Sequence, residues 1–451
     1  MTGDAFSTAA AIRDGSLSAL DAVSAALDQI TEHNGRLNAF TVVTADVALA
    51  QAAEVDGGTR RGPLAGVPIS VKDHVWVQGL PATNGSRALA DHVAAEDCVC
   101  IRRLVAAGAI IVGKTNNPEF CYRGITDNEL YGATRNPRDP TRTAGGSSGG
   151  AAASVASGMV PLAVGTDGGG SIRIPSAFCG SHGLKPSFGL VPKLPGFRGW
   201  PTLSVTGPIA ASVRDLALAL SVMAGPAALD YLSAAAPSVD YPGALVSPSW
   251  DGLRVAVSAD LGFAELDADV RSAFAAAIDQ ISDAGAHVVE RHPEPRDPLA
   301  LWDPIALAEG WASEGPLVEA HPDLVGADAA AIARAGAGIT ARQYLDAQYA
   351  REQYAIGWAN FFDDVDVLLT PAMPVTAFEL GRLAPATVGG KPVPESFDAW
   401  CALALPANLA GLPAASVPIG DGRDGLPVGL QILSARWRDA TVLRTAALIS
   451  S

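Results

Sequence analysis

The sequence runs to 451 residues, 49% of them apolar and 17% charged, with 31 Lys and Arg against 47 Asp and Glu for a formal net charge of −16. A chain of this length and apolar content buries a large core, which excludes a disordered polypeptide. Its longest basic runs are Arg60-Arg61 and Arg102-Arg103, so the electrostatic footprint of a nucleic-acid surface is missing.

From the N-terminus, Met1 to Phe6 show no basic region followed by an apolar one, and no apolar stretch reaches membrane-spanning length. A cytoplasmic protein with no membrane partner is expected. Ser18 is placed to cap a helix running to about His33, with Leu20, Val23, Leu27 and Ile30 on one face. A second helix covers Ala45 to Val55. Val67, Ile69 and Val71 then alternate with Pro68, Ser70 and Lys72, the pattern of a strand that turns Lys72 away from its apolar face. Most lysines in such a position are solvated, but this one ends an uncharged strand, where desolvation would lower its pKa and make it a base. A helix over 97–107 and a strand over 109–112 continue a βα rhythm, which predicts a largely parallel, covered sheet.

Residues 131–143 read as a loop leading into Gly145-Gly146-Ser147-Ser148-Gly149-Gly150. A helix from Gly150 to Ser157 and a buried strand from Met159 to Val164 follow, and they deliver the chain to Gly168-Gly169-Gly170-Ser171. Glycines in this number allow successive backbone N–H groups to point into one concavity, an anion nest or oxyanion hole. Asp167 and Arg173 flank the nest as a candidate ion pair that fixes it. Beyond it, 188–208 is rich in Gly and Pro and forms a rim with Trp200, and 212–224 is a helix. A second βαβ-like unit spans 253–257, 267–284 and 287–290, with His287 and His292 as surface or packing residues. Residues 298–362 are helical and aromatic, a strand covers 365–369, and a last helix starts near Asp439.

The five cysteines, Cys98, Cys100, Cys121, Cys179 and Cys401, are odd in number and lack a C-x-x-C spacing, and the seven histidines form no ligand set. Reduced thiols, no metal and no cofactor are expected. The segment 145–150 is not a P-loop, because Ala151 and Ala152 stand where Lys and Ser or Thr are required. It fits G-x-S-x-G centred on Ser147 or on Ser148, but the loop before it, with Pro137 and Pro140, is no central strand, and no downstream His has a clear acid partner.

Taken together, Gly66-Val67-Pro68 leading to Lys72-Asp73, the glycine-serine run at 145–150, and Gly165-Thr166-Asp167-Gly168-Gly169-Gly170-Ser171-Ile172-Arg173-Ile174-Pro175 resemble the amidase signature family of serine hydrolases. Lys114-Thr115-Asn116, Gly183-Leu184-Lys185-Pro186 and 425–431 extend the resemblance over nearly the whole chain. It implies an α/β fold, with a large mixed, mainly parallel central sheet covered by helices on both faces. A single domain over 1–451 is expected, with 66–190 as its catalytic segment and 250–362 as an outer region shaping the substrate pocket. It also implies a Ser-cisSer-Lys triad: Ser171 as nucleophile, Ser147 as the bridging serine, Lys72 as the base, with Ser148 supporting. The oxyanion hole falls on the amides of Gly168, Gly169, Gly170 and Ser171. Cys121 and Tyr122 either line the pocket or pack in the core. The family often has a larger residue at 168, so Gly168 is expected to loosen the loop or open room. The expected activity is hydrolysis of a small-molecule carboxylic amide through an acyl-enzyme, with a homodimer common in the family. Two alternatives stand beside it: the glutamine-hydrolysing component of a tRNA-dependent amidotransferase, whose motif usually reads Ile-Arg-Gln-Pro, and a catalytically silent binding protein of the same fold.

Overall fold

The computed structural model describes residues 3–294 and 296–450. In chain order its strands are β1 (Phe40–Val43), β2 (Pro68–Lys72), β3 (Ile110–Thr115), β4 (Leu162–Asp167), β5 (His182–Lys185), β6 (Val205–Ala210), β7 (Val255–Val257), β8 (Val288–Glu290), β9 (Val367–Pro371), β10 (Thr387–Val388), β11 (Lys391–Pro392), β12 (Ala414–Asp421) and β13 (Pro427–Leu433). Eleven of them form one sheet in the order β1-β3-β2-β4-β6-β5-β12-β13-β9-β7-β8, and β10 and β11 pair apart from it.

The sheet is mixed and covered by helices, as expected. Its parallel character lies in two blocks, β3-β2-β4 and β9-β7-β8. Between these blocks the pairings β4-β6, β6-β5, β5-β12, β12-β13 and β13-β9 are all antiparallel. The βα rhythm reported on the flanks; the middle is built by β5, β6, β12 and β13, whose Gly- and Pro-containing segments do not read as strands.

Burial explains the pattern of β2. All five of its residues are buried, because parallel neighbours flank it and helices cover both faces. Ile69 and Val71 enter a core with Leu104, Leu216, Leu220 and Leu443. Ser70 faces the other way, 3.0 Å from Ser154 of the helix Gly149–Ala156. The residues on that helix, Ala151, Ala152 and Val155, pack with Val23, Ile30 and Val112 in a second core. Ser18 caps the helix Ala19–Leu37 by accepting the Asp21 amide. Leu20 is 43% exposed, because the packed side of this helix is carried by Ala19, Ala22, Val23, Ala26 and Ile30. Among the described residues no helix is long and apolar enough to cross a membrane.

Candidate active site

Alternation along β2 sends Lys72 to the same face as Ser70, where the turn before the helix Gly149–Ala156 holds Ser147. Lys72 is fully buried, and its Nζ lies 2.6 Å from Ser147 Oγ and 2.8 Å from Thr166 Oγ1 on the adjacent β4. Burial pushes the Lys72 ammonium down from the ordinary lysine value, with partial compensation from Cys121, Asp167 and Asp73. The Gly146–Ser147 peptide is cis. One residue on, Ser148 fixes this turn against the next loop: its amide donates to the Ser171 carbonyl at 3.1 Å and its hydroxyl donates to the Thr166 carbonyl at 3.1 Å.

The loop carrying Ser171 is held by Asp167 and Arg173, both fully buried. Arg173 Nε and Nη2 each donate to one carboxylate oxygen of Asp167 at 2.9 Å, the bidentate geometry that makes such pairs specific. The remaining Arg173 donors reach the Ala404 carbonyl at 2.7 Å, Gln431 Oε1 at 2.6 Å and Asn408 Oδ1 at 2.6 Å. Burial alone would raise the Asp167 carboxyl, yet Arg173 holds it well below the usual carboxylate range. Asp167 also accepts the Gly170 amide at 2.8 Å and the Ile172 amide at 3.2 Å. That bond corrects the expected oxyanion set, since the Gly170 N–H is already committed to the carboxylate. Among the described residues no protein acceptor takes the amides of Gly168, Gly169 and Ser171. Gly170 instead supplies the left-handed φ of 116° that turns the loop.

No extra room exists at Gly168. A Cβ there would stand 2.5 Å from Trp200 Cε3, and Trp302 Nε1 donates to the Gly168 carbonyl at 3.3 Å. The Trp200 indole thus fills the space that a larger residue would need, while Trp302 holds the carbonyl. Trp200 and Trp302 meet edge to face with centroids 4.9 Å apart, and Tyr122 stacks on Trp200 at 5.7 Å. Tyr122 is buried, donates its hydroxyl to Glu314 Oε2 at 2.9 Å, and lines a cavity of about 350 Å³ with Trp200, Trp302, Leu307, Ile332 and Phe397. Cys121 stands near Lys72 and Ser147, and its Sγ is 3.6 Å from Asn84 Oδ1.

The structure therefore brings Lys72, Ser147, Ser148, Asp167, Gly168, Gly169, Gly170, Ser171 and Arg173 to one end of β2 and β4, with Cys121 and Tyr122 beside them. Sequence reasoning placed Trp200 at the rim but did not find Thr166, Glu314 or the contacts of Trp200 and Trp302 with Gly168. Thr166 lies inside the Gly165-to-Pro175 motif and was available on that signal; the others approach from distant segments. The cavity wall also extends past the expected 250–362 region to Leu383 and to 395–398. Among the described residues no group of three or more His, Cys, Asp or Glu is placed to hold a metal ion.

Comparison with known proteins agrees with this geometry. The chain is 38% identical over 449 residues to an acylamidase of Rhodococcus erythropolis, covering 97% of this chain and 93% of the relative. It is 37% identical to the A-type subunit of the glutamyl-tRNA(Gln) amidotransferase of Chloroflexus aurantiacus, covering 96% and 93%. A solved bacterial aryl acylamidase of the amidase signature enzymes superposes with a TM-score of 0.91 at 30% identity, over 100% of this chain and 96% of its own. Fold and relatives define the class: an α/β enzyme that hydrolyses amides. The amidase family profile matches residues 21–443, and the chain belongs to that family.

Proposed function

We propose that the protein is a stand-alone amidase in which Ser171 is the nucleophile, Ser147 the proton relay and Lys72 the base. The observation that carries the reading is the buried Lys72–Ser147 contact of 2.6 Å, locked beside Ser171 by the Ser148 amide. An amide carbonyl needs a deprotonated nucleophile, donors for the oxyanion and a proton for the leaving amine. Neutral Lys72 takes the Ser147 proton while Ser147 takes that of Ser171, whose Oγ bonds to the carbonyl carbon. The oxyanion is held by the free amides of the 168–171 loop. Collapse breaks the C–N bond, and the proton stored on Lys72 returns through Ser147 to the amine. Water then repeats the sequence on the acyl-enzyme and releases the acid.

Residues 66–190 supply the reacting groups in this reading, and the segment around Trp302 walls the substrate side. Ile174 supports the stand-alone role over the transferase component: it is fully buried against Gly145 and Gly170, an apolar seat in the motif position where that component usually carries Gln. Fluorophosphonate labelling with peptide mapping tests the assignment. A single adduct on Ser171, strongly slowed in Lys72→Ala, is expected. An adduct on Ser147 or Ser148 overturns the order of the triad. Glutaminase activity that appears only with tRNA and a second protein overturns the stand-alone role.

A further inference from the structure

The cavity beside the 168–171 loop has walls of one kind and charges of another. Trp200, Trp302 and Phe397 line it at angles to one another, with Trp302 and Phe397 centroids 6.1 Å apart, so aromatic rings bound the space from more than one direction. Five charged side chains also line it: Arg123, Asp303, Asp328, Glu395 and Asp398. Three of these are neutralised in place. Arg123 pairs with Asp328 at 2.7 Å, and Arg382 Nε donates to Glu395 at 2.7 Å. Asp303 and Asp398 are different. Neither has a hydrogen bond or an ion pair within the protein among the described residues.

Asp303 is partly buried on the helix Leu299–Ala320, one residue after Trp302, and Asp398 is more exposed, one residue after Phe397. Burial and the nearby Asp398 and Asp297 carboxylates raise Asp303 to about 6, and among the described residues no cation pairs with Asp303 or Asp398. Aromatic faces attract cations through their quadrupoles, and a carboxylate in a partly desolvated site attracts them more strongly than in water. The two features point independently to the same ligand charge.

We infer that the amides hydrolysed by this protein carry a compact organic cation, an ammonium or quaternary ammonium, seated among Trp200, Trp302 and Phe397 and paired with Asp303 and Asp398. This rests on the reading of the site as an amide hydrolase and names the class of substrate it selects. The aromatic walls alone would favour neutral aryl or alkyl amides. The two unpaired carboxylates are what turn the preference toward positive charge.

The test compares a trimethylammonium-butanoyl anilide with its neutral tert-butyl isostere, which matches it in shape and differs only in charge, and repeats the pair with the cation placed on the amine side. For one of the two pairs, kcat/KM of the cationic member is expected to exceed that of its isostere about tenfold or more, the size of one favourable charge-assisted contact. Asp303→Asn and Asp398→Asn are each expected to cut that ratio at least fivefold, as a ratio within one variant that reduced folding leaves unaffected. Equal or preferred turnover of both neutral isosteres overturns the inference and leaves amide hydrolysis standing. If no anilide turns over and fluorophosphonate does not label Ser171, the reading of the site fails and the cation preference falls with it.

Discussion

In the proposed mechanism Lys72 is the base, and its surroundings set when it is neutral. Because burial lowers its pKa, the neutral form needed for base catalysis is reached at lower pH than for a solvated lysine. The acidic limb of kcat/KM is therefore expected below the ordinary lysine range. The Thr166 hydroxyl accepts from the ammonium and so favours the charged form; Thr166→Val should move that limb to still lower pH, which a pH–rate profile reads directly. Lys72→Ala and Ser171→Ala should each lower kcat about 10³-fold or more, since members of a catalytic unit are lost together. Asp167 carries the stability of the same site. Asp167→Asn strands the buried Arg173 charge and should cost about 3–5 kcal/mol in urea denaturation. The sign of its pH dependence follows from its depressed pKa. The unfolded state takes up the proton first, so the contribution is complete above about pH 3.9 and is lost as pH falls below it. The variant should lack that acid-dependent loss.

At the scale of elements, the 168–171 loop is shaped from outside as much as from within. Gly168→Ala drives a Cβ into Trp200, and a displacement of the loop by a fraction of an ångström should lower kcat about 10²-fold. Shrinking the obstacle, as in Gly168→Ala with Trp200→Leu, should recover part of that loss in a double-mutant cycle. β3 contributes a second buried lysine with a structural task. Lys114 Nζ donates to the carbonyls of Asp73, Val75 and Pro81 and so ties the chain that leaves β2 after Lys72. Burial pushes its ammonium down to about 8. Lys114→Met leaves three carbonyls without a donor and should destabilise the protein by about 3 kcal/mol or more.

For the molecule as a whole, the site is closed by chain far from its motifs. Arg173 is gripped by Ala404, Asn408 and Gln431, and Asn408 Nδ2 in turn donates to the Asp167 backbone carbonyl at 2.9 Å. The C-terminal strands β12 and β13 join the first half of the sheet through β5. Asn408→Ala should therefore speed hydrogen exchange at the Gly170 and Ile172 amides about tenfold while leaving β1 amides unchanged, and activity should fall with loop order. Unchanged exchange at both amides would show that the Asp167–Arg173 pair holds the loop without the C-terminal segment.

Much of this was legible in the residues alone. Alternation in β2 gave the direction of Lys72, and the glycine clusters marked both serine loops, because period and glycine content are local properties of the chain. The acid–base pair at 167 and 173 was legible for the same reason, its members lying six residues apart at the two ends of one loop. The antiparallel centre of the sheet was not, since pairing across it joins strands such as β5 and β12 that are far apart in sequence. Nor was the commitment of the Gly170 amide to Asp167, or the filling of the space at Gly168 by Trp200. Sequence by itself determined which groups are candidates for the chemistry and on which turns they stand. Only the tertiary structure decided what surrounds them, because burial, hydrogen-bond competition and the charge left unpaired in a cavity are sums over distant segments packed together.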